Sequence, residues 1–253
     1  MKVPYVDYVT LNDQPLDRLS FPGKLPFTQD LHVDFDSPVT FFVGENGSGK
    51  STLLEAMAVL ARLPISGGGL NEMDANHAFT EQSILASSLR LAFIKQPKDR
   101  YFFRAETQAH FASLLDQRRD DPTFAGNPFS RYGGRSLHEM SHGEAFLSIM
   151  QNRFEHGLFF LDEPESALSP QRQLSLLALM VGLVQTEKSQ FFIATHSPIL
   201  LTYPGATIFS FDHGKLERVG LEDTSHFTLT RDFLNNPKMY WRHLAAKAPM
   251  DES

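Results

Sequence analysis

Gly44-Glu45-Asn46-Gly47-Ser48-Gly49-Lys50-Ser51-Thr52 fills every fixed position of the pattern G-x-x-x-x-G-K-[ST]. Glycines at 44, 47 and 49 let the backbone take turns that a Cβ would block, so that successive N–H groups converge on phosphate oxygens. Lys50 adds a cation for the β- and γ-phosphates, and the Ser51 hydroxyl is of the kind that ligates Mg²⁺. The flanks agree with this reading. Val39-Thr40-Phe41-Phe42-Val43 is an apolar, β-branched and aromatic run that predicts a buried strand. From Lys50 onward Leu53, Leu54, Met57, Leu60 and Ala61 recur at helical spacing. Strand, glycine-rich loop and helix therefore follow in the order that aims a helix N-terminus at an anion, and the stretch implies a bound nucleoside triphosphate.

A second run, Phe159-Phe160-Leu161-Asp162-Glu163, is an apolar strand ending in two acids. Such a strand carries Asp162 to the sheet edge, where it can hold Mg²⁺ directly or through water. Glu163, one residue further on, is suited to orient and deprotonate an attacking water. Phe191 to Thr195 predicts another buried strand, and His196 follows it as a candidate contact to a γ-phosphate or to that water.

Working outward, the strands near Leu158–Leu161 and Phe191–Thr195 bracket a helix expected from Pro170 to about Val184, and a further strand is expected over Ala206–Phe211. This alternation implies a parallel sheet. Residues 1 to 38 read as a β-rich lead-in punctuated by proline and glycine. Leu89–Lys95 and Tyr101–Arg104 read as a strand pair, turn signals dominate from Asp120 to Gly134, and Ala245 to Ser253 reads as a frayed end. The tail Phe227–Leu244, with Phe233, Tyr240, Trp241 and Leu244, has the spacing of core packing, the alternative being a partner surface.

The 253 residues suffice for one large α/β domain or two modest ones. With no cysteine, disulfides and thiolate zinc sites are excluded, which fits a reducing compartment. No apolar stretch has membrane-spanning length and the amino terminus lacks a basic-then-apolar signal, so the expectation is a soluble, cytoplasmic protein. A net charge of −7 argues against a broadly basic nucleic-acid binder, although the stretch from Arg90 to Arg135 carries more Lys and Arg than Asp and Glu.

Together the motifs resemble those of the ABC-type ATPases. Gly44–Thr52, Ser141-His142-Gly143-Glu144, Asp162–Glu163 and His196 match the family's phosphate loop, signature motif, second acidic motif and switch histidine, in that order. The resemblance covers about residues 20 to 215. It implies an α/β P-loop NTPase fold with a mostly parallel central sheet, a β-rich N-terminal part and a helical subdomain bearing the signature. The whole chain would be one such domain, with residues 1–63 and 155–215 as nucleotide-binding core, 64–154 as arm and signature subdomain, and 216–253 as C-terminal extension.

The mechanism it implies is ATP hydrolysis with Mg²⁺. Lys50, Glu163 and His196 would be catalytic, and Ser51 and Asp162 would hold the metal. Two copies would close head to tail over two ATP molecules. Ser141 and the Gly143 N–H, at a helix N-terminus, would reach the nucleotide held by the other copy. The family also supplies a glutamine to the metal and water from a loop after a strand. In Arg104-Ala105-Glu106-Thr107-Gln108, either Glu106 or Gln108 is the candidate.

Departures from the transporter pattern direct the choice of role. Transporter subunits read leucine-serine-glycine-glycine-glutamine, whereas Met140, His142 and Glu144 stand at three of those positions here. The Ser-x-Gly-Glu core is more similar to the heads of chromosome-maintenance and break-repair ATPases. After Asp162-Glu163 the chain continues Pro164-Glu165-Ser166-Ala167-Leu168-Ser169-Pro170, with Ser169 at the position of a transporter aspartate. That run is similar to soluble ATPases related to DNA-repair and phage-defence proteins, and Ser169-Pro170 is also a good helix start. Long coiled-coil arms are excluded by the short separation between loop and signature.

His138-Glu139-Met140-Ser141-His142 also matches the zinc motif H-E-x-x-H. That chemistry needs one continuous helix and a third ligand. Gly143 follows at once, Gly133-Gly134 precedes, and Ala145 stands where the extended motif has glycine, so the metalloprotease reading is set aside. The functions that remain are a soluble ATPase linked to DNA or defence, the energising subunit of a transporter, and a nucleotide-dependent binding switch with little turnover.

Overall fold

The computed structural model describes residues 4–69 and 83–246. Two sheets organise them. The smaller is antiparallel, in the order β2 (His32–Asp34), β1 (Val6–Leu11), β5 (Leu89–Phe93). The larger has seven strands. Five are mutually parallel and run β9 (Thr207–Ser210), β3 (Val39–Val43), β8 (Ser189–Ala194), β7 (Gly157–Asp162), β6 (Arg100–Arg104). Antiparallel edge strands flank them, β10 (Glu217–Val219) beside β9 and β4 (Gly68–Gly69) beside β6.

A parallel sheet covered on both faces demands apolar side chains on both. The central strands meet that demand by alternation. Phe42, Leu158, Phe160, Phe192 and Ala194 enter one core with Val6, Val9 and Leu91 of the small sheet and with Leu53, Leu54 and Met57 of α1 (Lys50–Leu60). Helix α2 (Ile84–Ser87) adds Leu85 and Ala86 to the same core. Val39, Phe41, Val43, Phe159, Leu161, Phe191 and Ile193 face the opposite core. There they meet α3 (Gln108–Asp120), α4 (His142–Arg153) and α5 (Pro170–Gln185) through Phe111, Phe146, Ile149, Leu176 and Met180. Thus α1 and α4 lie on opposite faces of one sheet.

The small sheet is tied to the large one by a buried polar side chain. Gln190 of β8 accepts from Val6 N (2.8 Å) and donates to Val6 O (3.0 Å), which satisfies backbone groups at the start of β1.

Among the described residues the lead-in carries two strands before β3, with turns and a short 3₁₀ segment between them. Two sequence expectations are corrected. The segments near Leu89–Lys95 and Tyr101–Arg104 are both strands, but they belong to different sheets. Four of the five β6 residues are buried, as suits a parallel interior, whereas β5 alternates and pairs with β1. The aromatic tail does not pack as core. It forms α6 (Ser225–Asn235), with no buried residue, and α7 (Pro237–Ala246). Phe233 and Tyr240 meet edge to face at 5.5 Å and close this hairpin, while Leu229, Leu234, Met239, Trp241 and Leu244 stay exposed. Residues 247–253 of the expected frayed end lie outside the described residues. No helix among the described residues is long and apolar enough to cross a membrane.

Candidate functional site

The loop Gly44–Gly49 leaves β3 at the C-terminal edge of the parallel strands and enters α1 directly. Gly49 has φ +105°, and a Cβ there would stand 2.4 Å from the Phe27 ring. Gly44 has φ +144°, and its Cβ would touch Phe211 at 3.0 Å. Both glycines are therefore required by backbone conformation and by the edge-to-face pair of Phe27 and Phe211, 5.0 Å apart, that underlies the loop. Asp212, just beyond β9, accepts from Glu45 N at 3.2 Å and pins the loop from the other side. Glu45, Asn46 and Gly47 are exposed, Ser48 and Thr52 half-buried, and Lys50 buried.

Lys50 Nζ donates to the carbonyls of Gly44 (2.8 Å) and Glu45 (3.0 Å). Burial depresses its pKa, against the pull of Glu163, Asp162 and other carboxylates. The Ser51 hydroxyl donates to Asp162 Oδ1 at 2.8 Å, joining the start of α1 to the end of β7. Asp162 is buried, and its pKa is pushed up to about 6, chiefly by desolvation, with the Ser51 hydrogen bond and Arg104 working in the opposite direction.

A buried carboxylate and a hydroxyl are hard oxygen donors of the kind Mg²⁺ takes, and a divalent ion would supply the charge that desolvated Asp162 lacks. Arg104 at the end of β6 is a nearby cation. Its guanidinium stands 3.6 Å from Asp162, 3.2 Å from Glu55 and 3.6 Å from Glu106.

Glu163 adopts φ 46°, ψ 53°, a left-handed conformation that costs a non-glycine residue on the order of 1 kcal/mol. Two neighbours hold the turn. Glu163 N donates to Ala194 O at 2.9 Å, and Ser166 Oγ donates to Glu163 O at 2.7 Å. Its carboxylate lies 3.7 Å from His196 Nε2. The His196 backbone N–H donates to Glu165 Oε1 at 2.5 Å, and its Nδ1 lies 2.8 Å from Nε2 of His226 on α6. Glu165 is half-buried, and its pKa is raised by desolvation. That of His196 is lowered by burial, then by Lys50 and His226, with Glu163 and Glu45 opposing.

The Ser141 stretch is built differently. Ser141 caps α4 in a reciprocal box: its Oγ accepts from Glu144 N (3.4 Å), and Glu144 Oε2 accepts from Ser141 N (2.9 Å) and from the Ser141 hydroxyl (2.8 Å). The Ser141 backbone N–H leads the contacts that hold the Glu144 carboxyl below its ordinary range. Arg172 of α5 donates to Ser141 Oγ at 3.3 Å. A Cβ on Gly143 would lie 2.8 Å from Ala167 O, so a glycine is needed for the close approach of α4 to the turn that follows Glu163. His142 is exposed, and its carbonyl accepts from Gln108 Nε2 at 3.0 Å.

Of the two candidates for the additional metal-side residue, Glu106 is exposed but linked through Arg104 to Asp162, while Gln108 is buried and directed to the signature helix. The two histidines of the zinc-like pattern sit on separate elements. His138 lies in a 3₁₀ turn and bonds Ser113 at 3.1 Å, Met140 is extended, and His142 opens α4. Among the described residues no cluster of three or more His, Asp or Glu side chains suits a metal.

Sequence reasoning passed over Arg104, Arg172, Asp212 and His226. Arg104 and Arg172 lie within stretches already singled out by motif or predicted helix, so their position was a signal. His226 carried none, because a histidine in an amphipathic tail looks like a surface residue.

The fold is that of a P-loop protein, with the glycine loop, Asp162 and Glu163 converging at one sheet edge. The chain resembles the ABC-type ATPases, including those of DNA repair. An AAA domain family matches residues 19–110, and an AAA domain family described as a putative AbiEii toxin of a type IV toxin–antitoxin system matches residues 94–202. The petrobactin import ATP-binding protein FpuD of Bacillus anthracis is 25% identical over 191 residues, covering 69% of this chain and 68% of FpuD. The DNA replication and repair protein RecF of Leptospira interrogans is 54% identical over 35 residues, 14% of this chain and 10% of RecF. The structure of cbiO1 from Clostridium perfringens, part of an ABC transporter complex, superposes with a TM-score of 0.50 at 16% identity, covering 92% of this chain and 97% of cbiO1.

Proposed function

We propose that this chain binds and hydrolyses ATP, with Mg²⁺, in a composite site closed by two copies arranged head to tail. The observation that carries the reading is the 2.8 Å bond from Ser51 to Asp162, with Glu163 and His196 3.7 Å apart just beyond it. In that reading Lys50 and the loop N–H groups bind the phosphates, and Ser51 and Asp162 hold the metal. Bound Mg²⁺ supplies charge neutralisation of the phosphates. Glu163 orients the water and takes its proton, and His196 meets the terminal phosphate. Ser141–Glu144 completes the site of the opposite copy. A cytoplasmic location accords with the supply of ATP and with the absence of cysteine.

The match to the putative AbiEii family and the short RecF likeness support a role linked to DNA or defence. The likeness to an import ATP-binding protein supports a second reading as a transporter's energising subunit. ATPase rate measured against protein concentration, with and without DNA, tests the proposal. The expected result is a rate per subunit that rises with concentration. A constant rate from a protein that stays monomeric with ATP would overturn the composite site. Stimulation by DNA that salt abolishes supports the DNA-linked role, and no response to DNA at any salt shifts the choice to transport.

A further inference from the structure

His226 belongs to none of the motifs, yet from the C-terminal hairpin it makes a hydrogen bond to a residue of the candidate site. Its Nε2 lies 2.8 Å from His196 Nδ1, with ring centroids 4.9 Å apart and planes inclined by 58°. Between two imidazole nitrogens at that distance there is room for one proton, and each neutral ring has one N–H to place. Two arrangements are therefore available.

In the first, His196 donates from Nδ1, and its Nε2 turns a bare lone pair towards the Glu163 carboxylate 3.7 Å away. Two acceptors would then face each other. His226 would also carry its proton on Nδ1, an atom that is buried without a protein partner, so a donor would be orphaned. In the second, His226 donates from Nε2 and keeps only a lone pair at Nδ1. His196 then holds its proton on Nε2, facing Glu163. Being buried and without a protein hydrogen bond, that N–H is free to donate to an oxyanion. The second arrangement removes the acceptor clash and leaves no buried donor stranded on His226.

We propose that His226 is a positioning residue: its Nε2–H donates to His196 Nδ1 and locks the switch histidine in the tautomer that presents Nε2–H to the reacting end of the site. The inference rests on reading His196 as the group that meets the terminal phosphate. It assigns the C-terminal hairpin a task in the site, since α6 carries the residue that sets the donor. Outer partners that fix the tautomer of a working histidine are a general device for orienting imidazoles.

The test has two arms. Long-range ¹H–¹⁵N spectra of histidine-labelled, nucleotide-free protein report the tautomer of each ring, with His196 and His226 assigned from the spectra of the H196Q and H226Q variants. The expected result is a proton on Nε2 of both rings, and a proton on Nδ1 of His196 overturns the proposal. This arm stands whether or not the protein hydrolyses ATP. In the second arm H226L lowers kcat about tenfold or more with little change in KM for ATP, while H226Q, whose amide donor reaches a similar position, restores most of it. Wild-type turnover in both variants defeats the positioning role and leaves the ATPase reading intact. A wild-type protein without turnover defeats the ATPase reading instead, and the spectra alone then decide the tautomer.

Discussion

The two halves of the proposed ATP site are built in opposite ways. Around Gly44–Thr52 the side chains are drawn from distant segments: Asp162 from β7, Asp212 from beyond β9, and Phe27 from the lead-in. Around Ser141 the contacts are mostly local. Ser141 and Glu144 satisfy each other across one turn, and the outside partners Arg172 and Gln108 come from α5 and α3, on the same face of the sheet. The loop half is a finished receptor whose parts already touch. The signature half is a capped helix end on the face opposite α1, chemically satisfied within its own chain. The difference teaches that a motif can be recognisable and still make no contact with its own loop; in the proposed head-to-tail arrangement its role belongs to the surface it shows a second copy.

Glu163→Gln keeps shape and loses the base, so kcat should fall about 10²- to 10⁴-fold while ATP still binds, measured by single-turnover hydrolysis and by nucleotide retention on a dimer. Retention without dimerisation would break the comparison at its base. Mixing Lys50→Ala with Ser141→Arg should restore activity that neither variant has alone. A mixed head-to-tail dimer carries one site with both native halves, whereas side-by-side independent sites would recover nothing. Ser141→Asn sharpens the point. Asparagine caps a helix as well as serine, so the melting temperature should hold within a few degrees while turnover falls, whereas Ser141→Ala should also lose about 1 kcal/mol.

A smaller effect is expected at Glu165. Burial raises its pKa in the folded protein, so between the unfolded and folded values the native state binds more protons than the unfolded one. Stability then decreases as pH rises through that window, and the loss persists above it. Glu165→Gln should flatten this slope, with its melting temperature gaining on wild type from pH 4 to pH 8. A gain that shrinks over that range would contradict the burial argument. Least of all, Trp241→Ala on the exposed hairpin should change stability by no more than about 0.5 kcal/mol. By contrast Phe160→Ala in the double-sided sheet should cost about 3–5 kcal/mol.

Legibility in the sequence followed locality. β3, the loop and α1 were readable because strand pattern, glycine positions and helical spacing lie within a short window. Asp162 and Glu163 were readable because a buried strand announces its own end. The pairing of β5 was not, since adjacent strands can join different sheets, and only the small sheet's need for a partner sent β5 to β1. Nor was the exposure of the tail, because helical spacing of Phe227, Phe233, Tyr240 and Trp241 predicts an apolar face without saying what covers it.

What the sequence by itself determined is which residues stand at each strand end: the glycine-rich turn after β3, Asp162 and Glu163 at the end of β7, and the histidine beyond β8. These depend on residue type and short-range backbone preference. Only the tertiary structure decided that Arg104 balances Asp162, that Glu165 anchors the His196 backbone, that His226 reaches His196 from the C-terminal hairpin, and that α4 stands across the sheet from α1. Those relations arise from the register of a parallel sheet and the sides on which its crossover helices pack, which no local pattern encodes.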